Sequence, residues 1–163
     1  MATSFLSSPA DTGYMKIALA EAEKALAVDE IPVGAVLVRE NEVIAQAHNR
    51  RELDQDPTAH AEILALKAAA KKLGRWRLSD CTLYVTLEPC PMCAGALVMA
   101  RIGRLIYGAS DYKSGAVESL FNIPGHPKLN HHIPVTAGIE EEACRNILQT
   151  FFKKKRQATS QKE

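Results

Sequence analysis

No apolar run in this sequence approaches the roughly 20 residues that a membrane-spanning helix needs. The first Lys or Arg is Lys16, and no apolar stretch precedes it. Neither a secretory signal nor an Arg-rich transit peptide is therefore indicated, and the cytoplasm is the expected compartment. Charge of one sign is not in excess: 20 Lys and Arg face 19 Asp and Glu, for a formal net charge of +1. That balance argues neither for nor against a nucleic-acid partner. Lys153–Arg156 and the group Lys71, Lys72, Arg75 and Arg77 are basic, but such runs read first as solvated helix ends and are weak evidence of phosphate binding. Internal repeats and low-complexity segments are absent too. Cysteine is sparse, with four residues, of which Cys90 and Cys93 lie three apart. Without a secreted context, that spacing points to metal or redox chemistry rather than a disulfide framework.

What is present is an ordinary globular composition, 47% hydrophobic and 24% charged over 163 residues, enough for one domain with one core. A helical period runs from Tyr14 to Val28 through Met15, Ala18, Leu19, Ala22 and Leu26. Val33–Val38 is nearly continuous in apolar residues, as a strand buried on both faces must be. The polar turn Glu40–Glu42 leads to a second strand, Val43–Ala47, in a hairpin. After a polar loop, Asp56, Pro57 and Thr58 announce a helix that ends near Leu73, with Gly74 as its cap. Thr82–Thr86 and Arg104–Ala109 are strands, with a short apolar helix, Pro91–Met99, between them. Leu120–Ile123 is a short apolar piece and Ile133–Thr136 a possible last strand. Ile139–Lys154 closes the chain as a helix, with Ala143, Ile147, Leu148, Phe151 and Phe152 on its inner face. The order predicts a three-layer α/β/α arrangement around a mixed sheet of about five strands. We expect a single domain over residues 1–163, its core at about 14–156 and its ends short and flexible.

The chemistry resides in two motifs, His60-Ala61-Glu62 and Pro89-Cys90-Pro91-Met92-Cys93, each at the start of a helix. A catalytic zinc site takes three protein ligands and leaves one position for water. His60, Cys90 and Cys93 supply three nitrogen or sulfur donors. Cysteines three apart on a helix point within about 60° of each other, and a helix N-terminus favours the thiolate that binds metal. Two thiolates and a neutral imidazole leave a dication's first shell with about zero net charge. Water there is acidified only moderately and needs a base, for which Glu62 is the candidate. Residues two apart on an ideal helix point about 200° apart, so His60 must sit at a frayed first turn if both face the ion. A lone Cys-x-x-Cys is also half of a structural zinc site or a redox pair. Cys81 and Cys144 lie too far apart in sequence to complete the former readily, and the latter leaves His60-Ala61-Glu62 unexplained. Zinc is favoured over iron or cobalt by the donor set, not fixed by it.

A His-x-Glu followed by Pro-Cys-x-x-Cys is the signature of zinc deaminases that act on nucleobases. At these residues the sequence resembles the cytidine-deaminase superfamily, and more closely the tRNA-specific adenosine deaminases of the TadA type. The resemblance covers about Met15 to Arg156. It is most distinctive at Pro32–Val38, Asp56–Glu62 and Thr82–Cys90, at Gly108–Ala116, at His126–His131 with its His-Pro-x-x-Asn-His pattern, and at Phe151-Phe152 before the basic run. It implies a cytidine-deaminase-like fold, one Zn2+ per chain on His60, Cys90 and Cys93, and Glu62 as the catalytic proton carrier. It also implies that Asn49 contacts the base or its ribose. Ala109, Asp111 and Lys113, with His126, Asn130 and Phe152, are implied to border an anticodon stem-loop, and the chain is implied to form a homodimer with active sites near the interface. The expected reaction is hydrolytic deamination of adenosine to inosine at the wobble position, position 34, of tRNA. Deamination of free guanine or cytosine is the alternative among enzymes, and a zinc-stabilised RNA-binding subunit the alternative outside them. The sequence departs from the resemblance at His48, where some relatives carry an aromatic, and at Lys128 and Leu129, which replace a small residue and Met. His126, His131 and His132 are surface residues of a Pro-containing loop rather than a second metal site.

Overall fold

The computed structural model describes residues 6–162; of the ends expected to flank the core at about 14–156, residues 1–5 and 163 lie outside them. Helix α1 spans Pro9–Ala27, five residues earlier than the apolar period predicts. Capping explains the difference: Ser8 is the N-cap, Pro9 begins the helix, and the Ser8 N–H donates to Asp11 Oδ2 at 2.9 Å. Strands β1 (Gly34–Arg39) and β2 (Glu42–His48) form a hairpin. Glu40 and Asn41, with φ of 50° and 63°, make its turn. Helix α2 is Ala61–Leu73, closed by Gly74 in the left-handed conformation. Strand β3 is Cys81–Leu87, helix α3 Pro91–Met99 and strand β4 Arg104–Ala109. Strand β5 is only Val135–Ala137. It starts two residues later than expected because Pro134 has no N–H to give a ladder, although its carbonyl accepts from Leu105. Leu120–Ile123 forms no strand or helix.

The five strands lie in the order β2-β1-β3-β4-β5. The β1 strand is antiparallel to both neighbours, whereas β3, β4 and β5 run parallel. Alternate side chains divide between two cores, as a doubly covered sheet requires. Ala35, Leu37, Leu83, Val85, Leu105 and Tyr107 pack with Ala65, Leu66 and Leu97 of α2 and α3. Val36, Val38, Tyr84 and Ile106 pack on the other face with Met15 and Ala18 of α1. Cys144 joins this second core from α4, the last helix, which spans Glu141–Ser160. Its buried stripe is Cys144, Leu148 and Phe151, a helical i, i+4, i+7 row. Ala143 and Phe152, expected inside, are exposed, because the helix enters after Glu140 at φ 54° and its phase is set there. The helix also runs six residues past the expected end, and the Thr159 and Ser160 hydroxyls donate to the carbonyls of Lys155 and Arg156. No helix among the described residues is long and apolar enough to cross a membrane.

Asp11 does more than cap. Buried on α1, it accepts from the Tyr84 hydroxyl at 2.8 Å and from both Arg104 terminal nitrogens at 3.1 Å. Burial opposes its ionisation, but the Ser8 N–H, Arg104 and Tyr84 together hold its carboxyl below the ordinary value of 3.8. A carboxylate whose folded pKa is depressed contributes stability that is complete above its unfolded pKa and lost as pH falls through the folded value. The urea midpoint is therefore expected to fall between pH 5 and pH 2, and Asp11→Asn to flatten that dependence. An unchanged slope in Asp11→Asn would remove Asp11 from the acid response.

The register also sets where a site can form. Gly34 pairs with His48, Ala35 with Val85, and Leu87 with Ala109. The end of β2, the start of β1 and the ends of parallel strands β3 and β4 therefore lie together at one end of the sheet. Residues 49, 88–90 and 110–119 all leave from that end. Loops beyond the carboxyl ends of parallel strands are where α/β sheets place ligands.

Candidate active site

Both chemical motifs occupy helix starts on one face of the sheet. His60 is the N-cap of α2, in extended conformation at φ −79° and ψ 152°. It thus precedes the helix rather than fraying within its first turn, and the roughly 200° separation from Glu62 that an ideal helix imposes does not apply to it. Cys90 is likewise the N-cap of α3, at φ −72° and ψ 174°, with Cys93 three residues in. Convergence of the two sulfurs thus arises from an N-cap side chain folding over the first turn, not from helical phase.

His60 Nδ1 lies 3.6 Å from Cys90 Sγ and 3.5 Å from Cys93 Sγ, and the three donor atoms fall within 4.8 Å of one another. Zinc–nitrogen and zinc–sulfur bonds of about 2.05 and 2.3 Å at a tetrahedral angle separate the two donors by about 3.6 Å. The donors present therefore fit a tetrahedral ion that leaves one position free. The electrostatics agree: hydrogen bonds from Cys93 first, then from His60, pull Cys90 down to about 4 despite its burial. The hydrogen bond with Cys90 in turn raises His60. Cys93, fully buried, is held as the thiol by donating to Cys90. A dication held by these donors would favour loss of that remaining proton.

Glu62 sits in the first turn of α2 and is 4% exposed. Burial lifts its carboxyl above the ordinary range, opposed by its own backbone N–H and by His60. It interacts with Cys93 from outside the donor cluster, which leaves its carboxyl beside the three donors without being one of them. Among the described residues, this is the one cluster with metal-ligand geometry. The loop histidines are committed elsewhere: His131 and His132 each place Nε2 on a backbone carbonyl, and His126 Nδ1 accepts from Lys128 N–H.

The remaining expected residues are dispersed. Asn49, 5% exposed, directly follows the last residue of β2; its N–H donates to the Val33 carbonyl and its Oδ1 accepts from Arg51 N–H. Ala109 closes β4, and its carbonyl accepts from Glu88 N–H. The Asp111 carboxylate accepts from Lys113 N–H, Ser114 N–H and the Ser114 hydroxyl, so it shapes its own loop, with Lys113 exposed beside it. Asn130 is exposed on the segment after His126, and Phe152 on α4 stacks edge-on against Phe151. None of these is hydrogen-bonded to His60, Glu62, Cys90 or Cys93 among the described residues. Two acids that sequence reasoning gave no role hold the surrounding loops. Glu30, 1% exposed, accepts from Leu53 N–H at 2.6 Å, and Glu88, 2% exposed, gathers the loop after β4. Glu88 adjoins the Pro89–Cys93 motif, but nothing local to Glu30 signals its role. An apolar groove lined by Ile63, Leu66, Trp76 and Met99 lies against α2 and α3, and none of His60, Cys90 and Cys93 lines it.

A family model for MafB19-like deaminases matches residues 10–156. The tRNA-specific adenosine deaminase of Bacillus subtilis (strain 168) is 49% identical over 146 residues, 90% of this chain and 91% of that one. That of Haemophilus influenzae is 51% identical over 148 residues, 90% and 86% of the two chains. A solved structure from work on A-to-I editing by the adenosine-34 deaminases of transfer RNA superimposes with a TM-score of 0.82 at 48% identity. It covers 84% of this chain and 99% of that one. A guanine deaminase from Nitrosomonas europaea shares the fold at a TM-score of 0.75 but only 28% identity, over 90% and 85% of the chains. Nearly full-length identity of about one half, on a deaminase fold with the donors and acid of the signature in place, makes this chain a member of the tRNA-specific adenosine deaminase family.

Proposed function

We propose that the protein hydrolyses the exocyclic amine of adenosine at the wobble position, position 34, of tRNA, giving inosine and ammonia. The observation that carries this reading is the buried Glu62 set against a His60, Cys90 and Cys93 donor cluster, in a chain whose relatives at about half identity bear that name. Those three residues would hold one Zn2+ per chain, which supplies Lewis acidity and makes a water a competent nucleophile at neutral pH. Glu62 takes a proton from the attacking water as the C6–O bond forms and delivers it to ring N1. It then carries the second proton to the departing nitrogen, and the C6–N bond breaks. Its burial excludes the bulk water that would otherwise exchange those protons.

The loops at this end of the sheet form the proposed RNA site. Asn49 faces the base or ribose, and Ala109, Asp111, Lys113, His126 and Asn130 border the flanking nucleotides. Phe152, 42% exposed, shares one side of α4 with Lys155 and Arg156, a ring with cations beside it that suits stacked bases and phosphates. A single-stranded anticodon loop gives up its base at lower cost than a duplex. Initial rates of ammonia release from an anticodon stem-loop, free guanine and free cytosine test the reading. Turnover confined to the stem-loop is expected, and turnover of a free base alone would replace it. We propose in addition a homodimer that covers the groove of Ile63, Leu66, Trp76 and Met99, where Trp76 and Met99 are 56% and 69% exposed. Sedimentation equilibrium at the 17.8 kDa of one chain would rule it out.

A further inference from the structure

Residues 110–119 connect β4 to the segment before β5 with no strand or helix of their own, so their backbone N–H groups must find partners elsewhere. One buried side chain, Glu88, accepts from four of them. Glu88 Oε1 accepts from Asp111 N–H at 3.1 Å and from the Ser119 hydroxyl, and its Oε2 accepts from the N–H groups of Val117, Glu118 and Ser119 at 3.2, 3.0 and 2.9 Å. The neighbouring Pro89 carbonyl takes the Ala116 N–H at 2.8 Å. The loop closes tightly over the carboxylate at Gly115, where a Cβ would stand 2.4 Å from both Glu88 Cδ and Oε2. Glu88 and Pro89 immediately precede Cys90. One rigid tripeptide therefore fixes a metal-ligating sulfur at one end and the whole loop carrying Asp111 and Lys113 at the other.

We propose that Glu88 is a positioning residue that presets loop 110–119, at a fixed distance from the Cys90 turn, for the nucleotides flanking the reacting base. This rests on the RNA reading above. Glu88 makes no contact with the base in this account. It removes the entropy that a mobile loop would lose on binding RNA, and it pairs four backbone donors that the loop's lack of regular structure leaves without a ladder partner. Its loss therefore weakens substrate capture rather than the chemical step.

The test compares wild type with Glu88→Gln, Gly115→Ala and the double variant, with metal content and anticodon stem-loop kinetics measured on each. In Glu88→Gln an amide nitrogen replaces one acceptor oxygen and faces N–H groups. KM is expected to rise on the order of tenfold, with kcat held within about threefold and metal retained. Gly115→Ala is expected to act through the same contact, so the double variant should be no worse than the poorer single one. Ser119→Ala, which deletes only the hydroxyl contact, gives a smaller KM rise and carries the test if Glu88→Gln does not fold. Hydrogen exchange without RNA adds an arm independent of substrate: the amides of Asp111, Val117 and Glu118 should lose protection in Glu88→Gln. Loss of metal, a fall in kcat at unchanged KM, additive effects, or amides that stay protected would each overturn the proposal. Wild type that makes no inosine while those amides behave as expected would instead count against the RNA reading alone.

Discussion

Glu62→Gln is expected to bind metal as the wild type does and to lose turnover by about 10²–10⁴-fold, the usual share of a general acid–base group. The substitution preserves shape and burial while removing the ability to take up and release a proton. Metal retention follows from geometry, since His60, Cys90 and Cys93 already place three donors within 4.8 Å of one another and Glu62 stands outside that cluster. The fall should lie in kcat rather than KM, because an amide of the same outline fills the pocket as well as the carboxyl does. Elemental analysis beside single-turnover inosine formation separates the two effects. A Gln variant within tenfold of wild type would assign the proton transfers to another group.

Cys93→Ala is expected to have the opposite signature, with metal and turnover lost together. Cys93 is fully buried at the start of α3, and its sulfur lies 3.5 Å from His60 Nδ1. Removing it leaves an imidazole and one thiolate, too few donors to hold a tetrahedral ion against water. Even outer-shell changes typically lower zinc affinity by about 10–100-fold, so loss of a ligand should exceed the upper end of that range. The vacated volume is small, and α3 keeps its Leu97 and Val98 packing. The fold should accordingly survive, with a lower melting temperature if a metal on these donors joins the starts of α2 and α3 in the wild type. Competition with a chromogenic chelator measures the affinity. A variant that kept metal and activity would show that Cys93 is no ligand.

The chemistry of this protein was legible in its sequence because it is concentrated in two short motifs whose residue types have few other uses in combination. The buried strands were legible for a related reason. Val33–Val38 is apolar at every position except glycine, and only a strand covered on both faces tolerates that. What the sequence concealed depends on partners distant along the chain. Asp11 looks like a surface acid until folding brings Arg104 and Tyr84 to it. Glu88 looks like a motif spacer until the loop 23 to 31 residues later wraps its carboxylate. Helical phase misled in two places. His60 and Cys90 are N-caps, so counting them as helical turns gives the wrong directions. Phe152 follows a buried Phe151, yet one residue of helix turns it outward. The start of α1 was missed because hydrophobic periodicity registers only where apolar residues begin, whereas a cap of Ser8, Pro9 and Asp11 begins the helix a turn earlier.

The most direct test of the central claim is the mass of an anticodon stem-loop with adenosine at position 34 after incubation with metal-loaded wild type, mapped nucleotide by nucleotide. The expected result is a gain of about one mass unit, the exchange of an amine for an oxygen, confined to position 34 and absent when guanosine replaces adenosine there. An unchanged RNA, from protein shown to carry one zinc per chain, would contradict it.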